Sequence, residues 1–204
     1  MQHSLELRKD KKGWMHYEIK FYPDIIDTAN LFVKTFERIY QKKPSIRYVK
    51  NYYRVRVTSP VACKHLITIS GFSKLAWRVP KKILVDNNSK KEFIRAIFDC
   101  EGCVGKRNIQ FQSVNGPGVY DIKKLLKEFK INSSIYTHKR DNPNWNLNYI
   151  MVISRKENIK RFYKLVGFNH PIKQEKLAKL AGVPERSMGM PREHVSARTS
   201  RFES

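Results

Sequence analysis

The stretch FIRAIFDCEGCV (residues 93–104) places two acids, Asp99 and Glu101, and two cysteines, Cys100 and Cys103, within five positions. Both acids stand at the end of a helical pattern, where the partial negative charge of the last turn makes a carboxylate cost about 0.3–1 kcal/mol. Two residues apart, they project in separate directions and cannot chelate as one pair. A carboxylate at a helix tip is tolerated where a divalent cation sits beside it. The plainer alternative is a surface acid balancing nearby cations such as Lys106 and Arg107. The C-x-x-C could start a zinc site, but a tetrahedral site needs four ligands. No second C-x-x-C or H-x-x-x-H occurs, and Cys63 with His65 is the other close pair, so no zinc is expected and Cys100 reads as a small packing residue.

The element that carries these side chains is a helix. Ser89 and Glu92 form S-x-x-E, which predicts a capping box and a helix over 90–102, closed by Gly102 in the left-handed C′ position. Phe93, Ala96, Ile97 and Cys100 recur along it at helical spacing. Ala96 and Cys100 are small and lie on one stripe, so another helix could approach closely there. Unpartnered, that stripe predicts a second chain or a homodimer.

Composition narrows the partner. The chain has 41 Lys+Arg against 18 Asp+Glu, a net charge of +23, and 41% hydrophobic residues, enough for a buried core. The imbalance points to a polyanion, with nucleic acid first and an anionic membrane surface second. The cations are spread along strands and loops rather than gathered on one amphipathic helix, which disfavours the membrane. No run approaches the roughly 20 apolar residues of a membrane span, and the N-terminal residues lack a signal-peptide core. A soluble, intracellular protein is expected, and three cysteines do not suggest a disulfide framework.

The chain also repeats. Ile19 and Phe21 in HYEIKFYPD match Ile109 and Phe111 in RNIQFQSVN, an offset of 90, and Ser45-Ile46 matches Ser134-Ile135 at 89. Gly71-Phe72 matches Gly167-Phe168 at 96, the extra residues falling in the turn around DNPNWN. Each half reads strand, strand, helix, strand, strand, helix, so the fold class is α+β. Expected strands are 3–10, 14–22, 45–50, 52–59, 102–106, 108–114, 134–140 and 146–154. Expected helices are 24–40, 61–70, 117–129 and 156–166, besides the acidic one.

Strand alternation sorts the faces. In YYRVRVTS, Val55 and Val57 face one side and Arg54, Arg56 and Thr58 the other, giving an apolar side under helices and a basic, exposed side. By the same count Lys20, Arg47, Lys50, Arg54 and Arg56 in the first half are candidate nucleic-acid contacts. In the second half the candidates are Lys106, Arg107, Gln110, Gln112, Tyr136, His138, Arg140 and Asn148. Such a face is what any half-solvated antiparallel sheet shows, but its cations and amides are also the groups that bond phosphates and base edges.

FIRAIFDCEG, with Ile94 to Gly102 at its nine positions, resembles the motif helix of the LAGLIDADG homing endonucleases. RVPKKI upstream, and IQFQSVNGPGVYDIKKLLKEFKINSSIY and IMVISRKENIKRFYKLVGF downstream, are similar to the rest of that family's repeat. The resemblance covers roughly residues 3–180. It implies two pseudo-symmetric repeats whose antiparallel sheets form a saddle over double-stranded DNA, with motif helices packed together. It further implies a nuclease that hydrolyses DNA phosphodiesters with Mg²⁺ or Mn²⁺ and serves intron or intein mobility. By that match Ala96 and Cys100 are helix-contact positions, Glu101 is the catalytic, metal-binding acid with Gly102 beside it, and Asn115 and Lys156 fall near the attacking water.

The halves differ in one respect. Residues 1–78 read as a first repeat without a motif helix, residues 79–181 as a second repeat with one, and 182–204 as a basic, flexible tail. Pro60 stands where Lys156 stands in the second half. The missing helix would come from upstream sequence, from another chain, or from self-pairing through Ala96 and Cys100. Otherwise the protein is a relative that binds DNA or RNA without cutting, in the manner of an intron maturase or a DNA-binding factor.

Overall fold

Alternating apolar residues in Met15–Tyr22 and Tyr52–Thr58 bury Ile19, Phe21, Val55 and Val57 on one side of a sheet. That pattern recurs in Ile109–Ser113 and Asn148–Ile153, which bury Ile109, Phe111, Met151 and Ile153. The computed structural model describes residues 2–9, 15–70, 75, 77–82, 84–139 and 146–184. Its elements are β1 (Gln2–Lys9), β2 (Met15–Tyr22), α1 (Ile26–Tyr40), β3 (Ser45–Val49), β4 (Tyr52–Thr58) and α2 (Pro60–Ser70), then α3 (Asn87–Glu101). There follow β5 (Gly102–Val104), β6 (Ile109–Ser113), α4 (Gly116–Glu128), β7 (Ser134–His138), β8 (Asn148–Ile153), α5 (Lys156–Leu165) and α6 (Pro171–Ala181).

The fold is α+β, with two antiparallel four-stranded sheets of the same order, β1-β2-β4-β3 and β5-β6-β8-β7. In the first, Ile19 pairs Val57 and Phe21 pairs Val55; in the second, Ile109 pairs Ile153 and Phe111 pairs Met151. The repeat in the sequence is therefore a repeat in space. The expected elements all form, and apart from α3 their ends lie within two residues of those expected, most of them trimmed and the starts of β1, α2 and α4 one residue earlier.

Three expectations are corrected. Helix α3 starts earlier than position 90, because Asp86 is its N-cap: the Asp86 side chain accepts from Ser89 N at 2.6 Å, and Ser89 Oγ receives Asp86 N at 3.3 Å. The capping box is thus Asp86 with Ser89, and Glu92 instead pairs Arg95 at 2.6 Å one turn along. Gly102 does not take the left-handed conformation: at φ −82° and ψ 152° it runs straight from helix into strand. Glycine is required there by space, since a Cβ would lie 2.6 Å from the Phe98 carbonyl oxygen and 2.9 Å from its ring. Finally, α6 was not expected, although Pro171 at its first turn after His170 is a helix-start signal.

The second half holds one continuous core. Phe98 of α3 is fully buried against Phe111, Phe162 and Phe168, at ring-centroid distances of 5.5, 4.9 and 6.5 Å. The first half holds two smaller clusters, one around Ile19, Phe36 and Val57 and one around Phe21, Val33 and Val55. Cys100 packs on the latter, so the end of α3 rests on the first half. Among the described residues no helix is long and apolar enough to cross a membrane. Arg140, the DNPNWN turn up to residue 145 and most of the expected tail lie outside the described residues.

Candidate functional site

The two acids of the opening stretch have different fates. Asp99 is 6% exposed, and its carboxylate accepts from the backbone N–H of Asn169 and of His170, each at 3.1 Å. Those N–H groups lie at the start of α6, where unsatisfied donors attract an anion. In return Lys173, in the first turn of α6, donates from Nζ to the Asp99 carbonyl at 2.6 Å and to the Phe98 carbonyl at 3.4 Å. An acid at the end of α3 caps α6, and a lysine at the start of α6 caps α3. Burial pushes the Asp99 carboxyl up from its ordinary value, against the pull of the His170 and Asn169 N–H groups. It pushes the Lys173 amine down, opposed by the charge of Asp99.

This exchange explains Asp99 and leaves Glu101. The Glu101 side chain is exposed at the tip of α3, just before β5 begins. Its neighbour Cys100 is packed on the first-half cluster, and burial raises that thiol to about 11. His170 Nε2 also reaches Asp24 Oδ2 of the first half, at 3.4 Å. Glu101 therefore stands where the two halves meet, held by Cys100 on one side and by α6 on the other.

The other expected active-site residues do not gather around it. Asn115 is fully buried: its amide donates to the Trp77 carbonyl at 2.6 Å and accepts Gly118 N at 3.2 Å, as the cap of α4. Those two bonds give the Asn115 side chain a structural role at the start of α4. Lys156 is exposed at the start of α5. The register carries β8 out of the sheet at Ile153, opposite Ile109 and Val104, whereas Glu101 enters β5 beside Gly102 and Phe111. Lys156 and Glu101 thus flank opposite ends of β5. Of the two small stripe residues, Ala96 is exposed but Cys100 is covered within the chain, and Phe93 and Ile97 pack on the second core. Within the chain the stripe is thus partly covered at Phe93, Ile97 and Cys100 and open at Ala96.

The candidate nucleic-acid contacts fall on the faces the alternation assigns. On the first sheet Lys20 lies opposite Arg56, and Arg47 opposite Arg54. Glu18, 9% exposed, sits among them, pairing Lys20 at 3.0 Å and also Arg56. Alternation with Ile19 and Phe21 alone puts Glu18 on that face, whereas its pairing with Arg56 is tertiary. Like charges directly opposite destabilise a sheet, and Arg47 and Arg54 have no acidic partner among the described residues. Lys50 is exposed in the β3–β4 turn. On the second sheet Gln110, Gln112, Tyr136, His138 and Asn148 share the outer face, and Asn148 Nδ2 donates to Gln112 Oε1 at 3.3 Å. Lys106 and Arg107 are exposed at the β5–β6 turn rather than on the face.

A family model described as a LAGLIDADG-like domain matches residues 88–167, from the start of α3 to just past α5. The matched stretch contains the whole second sheet, α4, α5, nearly all of α3 and most of the core around Phe98. The chain is 30% identical over 121 residues, 56% of its own length, to a glutamine–fructose-6-phosphate aminotransferase of Methanocaldococcus jannaschii. It is 29% identical over 103 residues, 50% of its length, to a replication factor C small subunit of the same organism. It spans only 11% and 6% of those relatives. Its fold is similar to that of the homing endonuclease I-DmoI in complex with DNA and Mn, at a TM-score of 0.63 and 15% identity, covering 79% of this chain and 87% of that one. It is also similar to full-length DUF199/WhiA from Thermatoga maritima, at a TM-score of 0.50 and 12% identity over 79% of this chain and 52% of that one. The likeness to I-DmoI is one of fold, and at 79% of this chain it reaches beyond the stretch that the family model matches.

Proposed function

We propose that the protein binds double-stranded DNA across its two sheet faces and hydrolyses it with a divalent metal at Glu101, as a homing-type endonuclease or a subunit of one. The observation that carries this reading is Glu101 itself: an exposed carboxylate at a helix end that disfavours it, set at the junction of two sheets, the first with a cationic outer face and the second with a largely polar one. Asp99 has a structural reason for its place; the Glu101 side chain has no hydrogen-bond or ion-pair partner among the described residues.

Mg²⁺ needs only one or two protein carboxylates, the rest of its shell being waters and phosphate oxygens. The free, solvent-facing carboxylate of Glu101 meets that demand, with the Gly102 backbone next to it. When bound, the ion would polarise the scissile phosphate and lower the pKa of its water. The protein's own part is positional. The exchange between Asp99 and Lys173 fixes the helix end, Cys100 seats it on the first half, and the Lys and Arg side chains hold the phosphates on either side.

The matched segments form a small share of two relatives with unrelated named activities, an aminotransferase and a replication factor subunit. A module common to both is separable from either activity, which supports intron- or intein-type mobility. A second reading, DNA or RNA binding without cleavage, is favoured by one observation. Among the described residues no group of three or more His, Cys, Asp or Glu side chains could hold a metal, so an ion at Glu101 would take the rest of its shell from water, phosphate oxygens or a further chain.

A cleavage selection from a randomised duplex library in Mg²⁺, with binding followed across salt concentration, separates these outcomes. Metal-dependent cutting of a recovered sequence supports the endonuclease. Retained but intact duplex, or preference for an RNA competitor, supports the binding-only reading. Each neutralised phosphate contributes about 0.9 to the log–log salt slope, so a flat dependence overturns both.

A further inference from the structure

The two outer faces are built alike and decorated differently, and the difference has a chemical direction. On the first sheet Arg47 and Arg54 lie directly opposite one another at the β3–β4 pair, without acidic partners among the described residues. Arginine is the side chain that bonds guanine O6 and N7 with two parallel donors. On the second sheet the same face carries no Lys or Arg along its described strands. Its rows set Gln110 opposite Val152 and Gln112 opposite Ile150, with both aliphatic residues half-exposed on an otherwise polar surface. Glutamine is the partner of adenine N6 and N7, and an aliphatic group fits the thymine methyl.

Resting on the duplex-binding reading above, we propose that the protein recognises an asymmetric target: guanine-containing steps under the first sheet and A·T pairs under the second. The second sheet keeps its cations at the Lys106–Arg107 turn, where they meet phosphate, and leaves its face for base edges. The first sheet keeps two of its cations, Lys20 and Arg56, tied to Glu18 and leaves Arg47 and Arg54 for bases. The lack of Lys and Arg on the described strands of the second face is then a specificity device rather than a weakness, because no cation there is drawn from the bases to phosphate.

The test is a binding selection on the full chain from a randomised duplex library at fixed salt, repeated with Arg54→Gln and with Gln112→Ala. Expected is a bound pool with guanine enriched in one half-site and A·T in the other, each position discriminated by roughly 5- to 150-fold. Arg54→Gln should move one guanine position towards adenine and leave the A·T half unchanged, and Gln112→Ala should relax one adenine position only. Equal base composition in the two halves, or a guanine preference indifferent to Arg54→Gln, overturns the proposal while the duplex-binding reading stands. Absence of any salt-sensitive retention overturns both.

Discussion

The first and second halves share one strand order, and they diverge in what supports the sheet. Beneath the second sheet a single core joins α3, α4, α5 and α6 around Phe98. Beneath the first, the described side chains form two small clusters that divide the helix–sheet contact. The half with the acidic helix has the continuous core, and the acid stands at the tip of a helix anchored in it. Topology is repeated, whereas the continuous core and the acid fall in one copy. The same asymmetry appears at the helix starts after β4 and β8, where Pro60 opens α2 and Lys156 opens α5.

Several substitutions sharpen or break this contrast. Phe98→Ala should cost about 3–5 kcal/mol, as for a large ring removed from a collapsed-resistant core, while Phe21→Ala in the first half should cost less. Urea unfolding of the two variants measures the gap, and equal costs would refute the idea of unequal cores. Gly102→Ala should cost about 1–3 kcal/mol, because the new methyl meets the Phe98 carbonyl and ring and the chain must shift. Asp99→Ala removes the acceptor at the start of α6 and should cost about 0.5–2 kcal/mol. Hydrogen exchange should then speed in α6 before it changes in the first sheet.

The smallest effect concerns pH. Arg78 pairs with buried Asp121 at 2.6 and 3.0 Å and holds its carboxyl below the ordinary 3.8. A depressed carboxyl lends stability above its unfolded value and loses it as pH falls through the folded one. The melting temperature should therefore drop below about pH 4, and Asp121→Asn should flatten that drop. An unchanged acid limb would show that Asp121 is not a source of it.

Much of this was legible in the sequence because alternation and repetition are local signals. Ile19, Phe21, Ile109 and Phe111 announced both sheets, and the alternation of Arg54 and Arg56 with Val55 and Val57 announced the basic face of the first. What escaped was tertiary. Nothing local reveals that Asp99 would find the N–H groups of Asn169 and His170, some seventy residues away, or that Asn115 would be spent on Trp77. Short polar side chains serve caps and catalysis with the same atoms, and only the partner decides. The Ser89–Glu92 capping box failed for a related reason: Asp86 offered an earlier and equally good cap three residues upstream. Cys100 read correctly as a packing residue, yet its partner proved to be the first half of the same chain rather than a second helix.

The most direct test of the account compares the protein with Glu101→Gln on one duplex recovered by selection, measuring affinity and strand cleavage in Mg²⁺ side by side. The account predicts that the variant binds as tightly as the parent and cuts at least about a thousand-fold more slowly, the scale of several kcal/mol for a lost metal ligand. A variant that cuts as fast as the parent would contradict it, and would return Glu101 to the status of a surface acid among lysines.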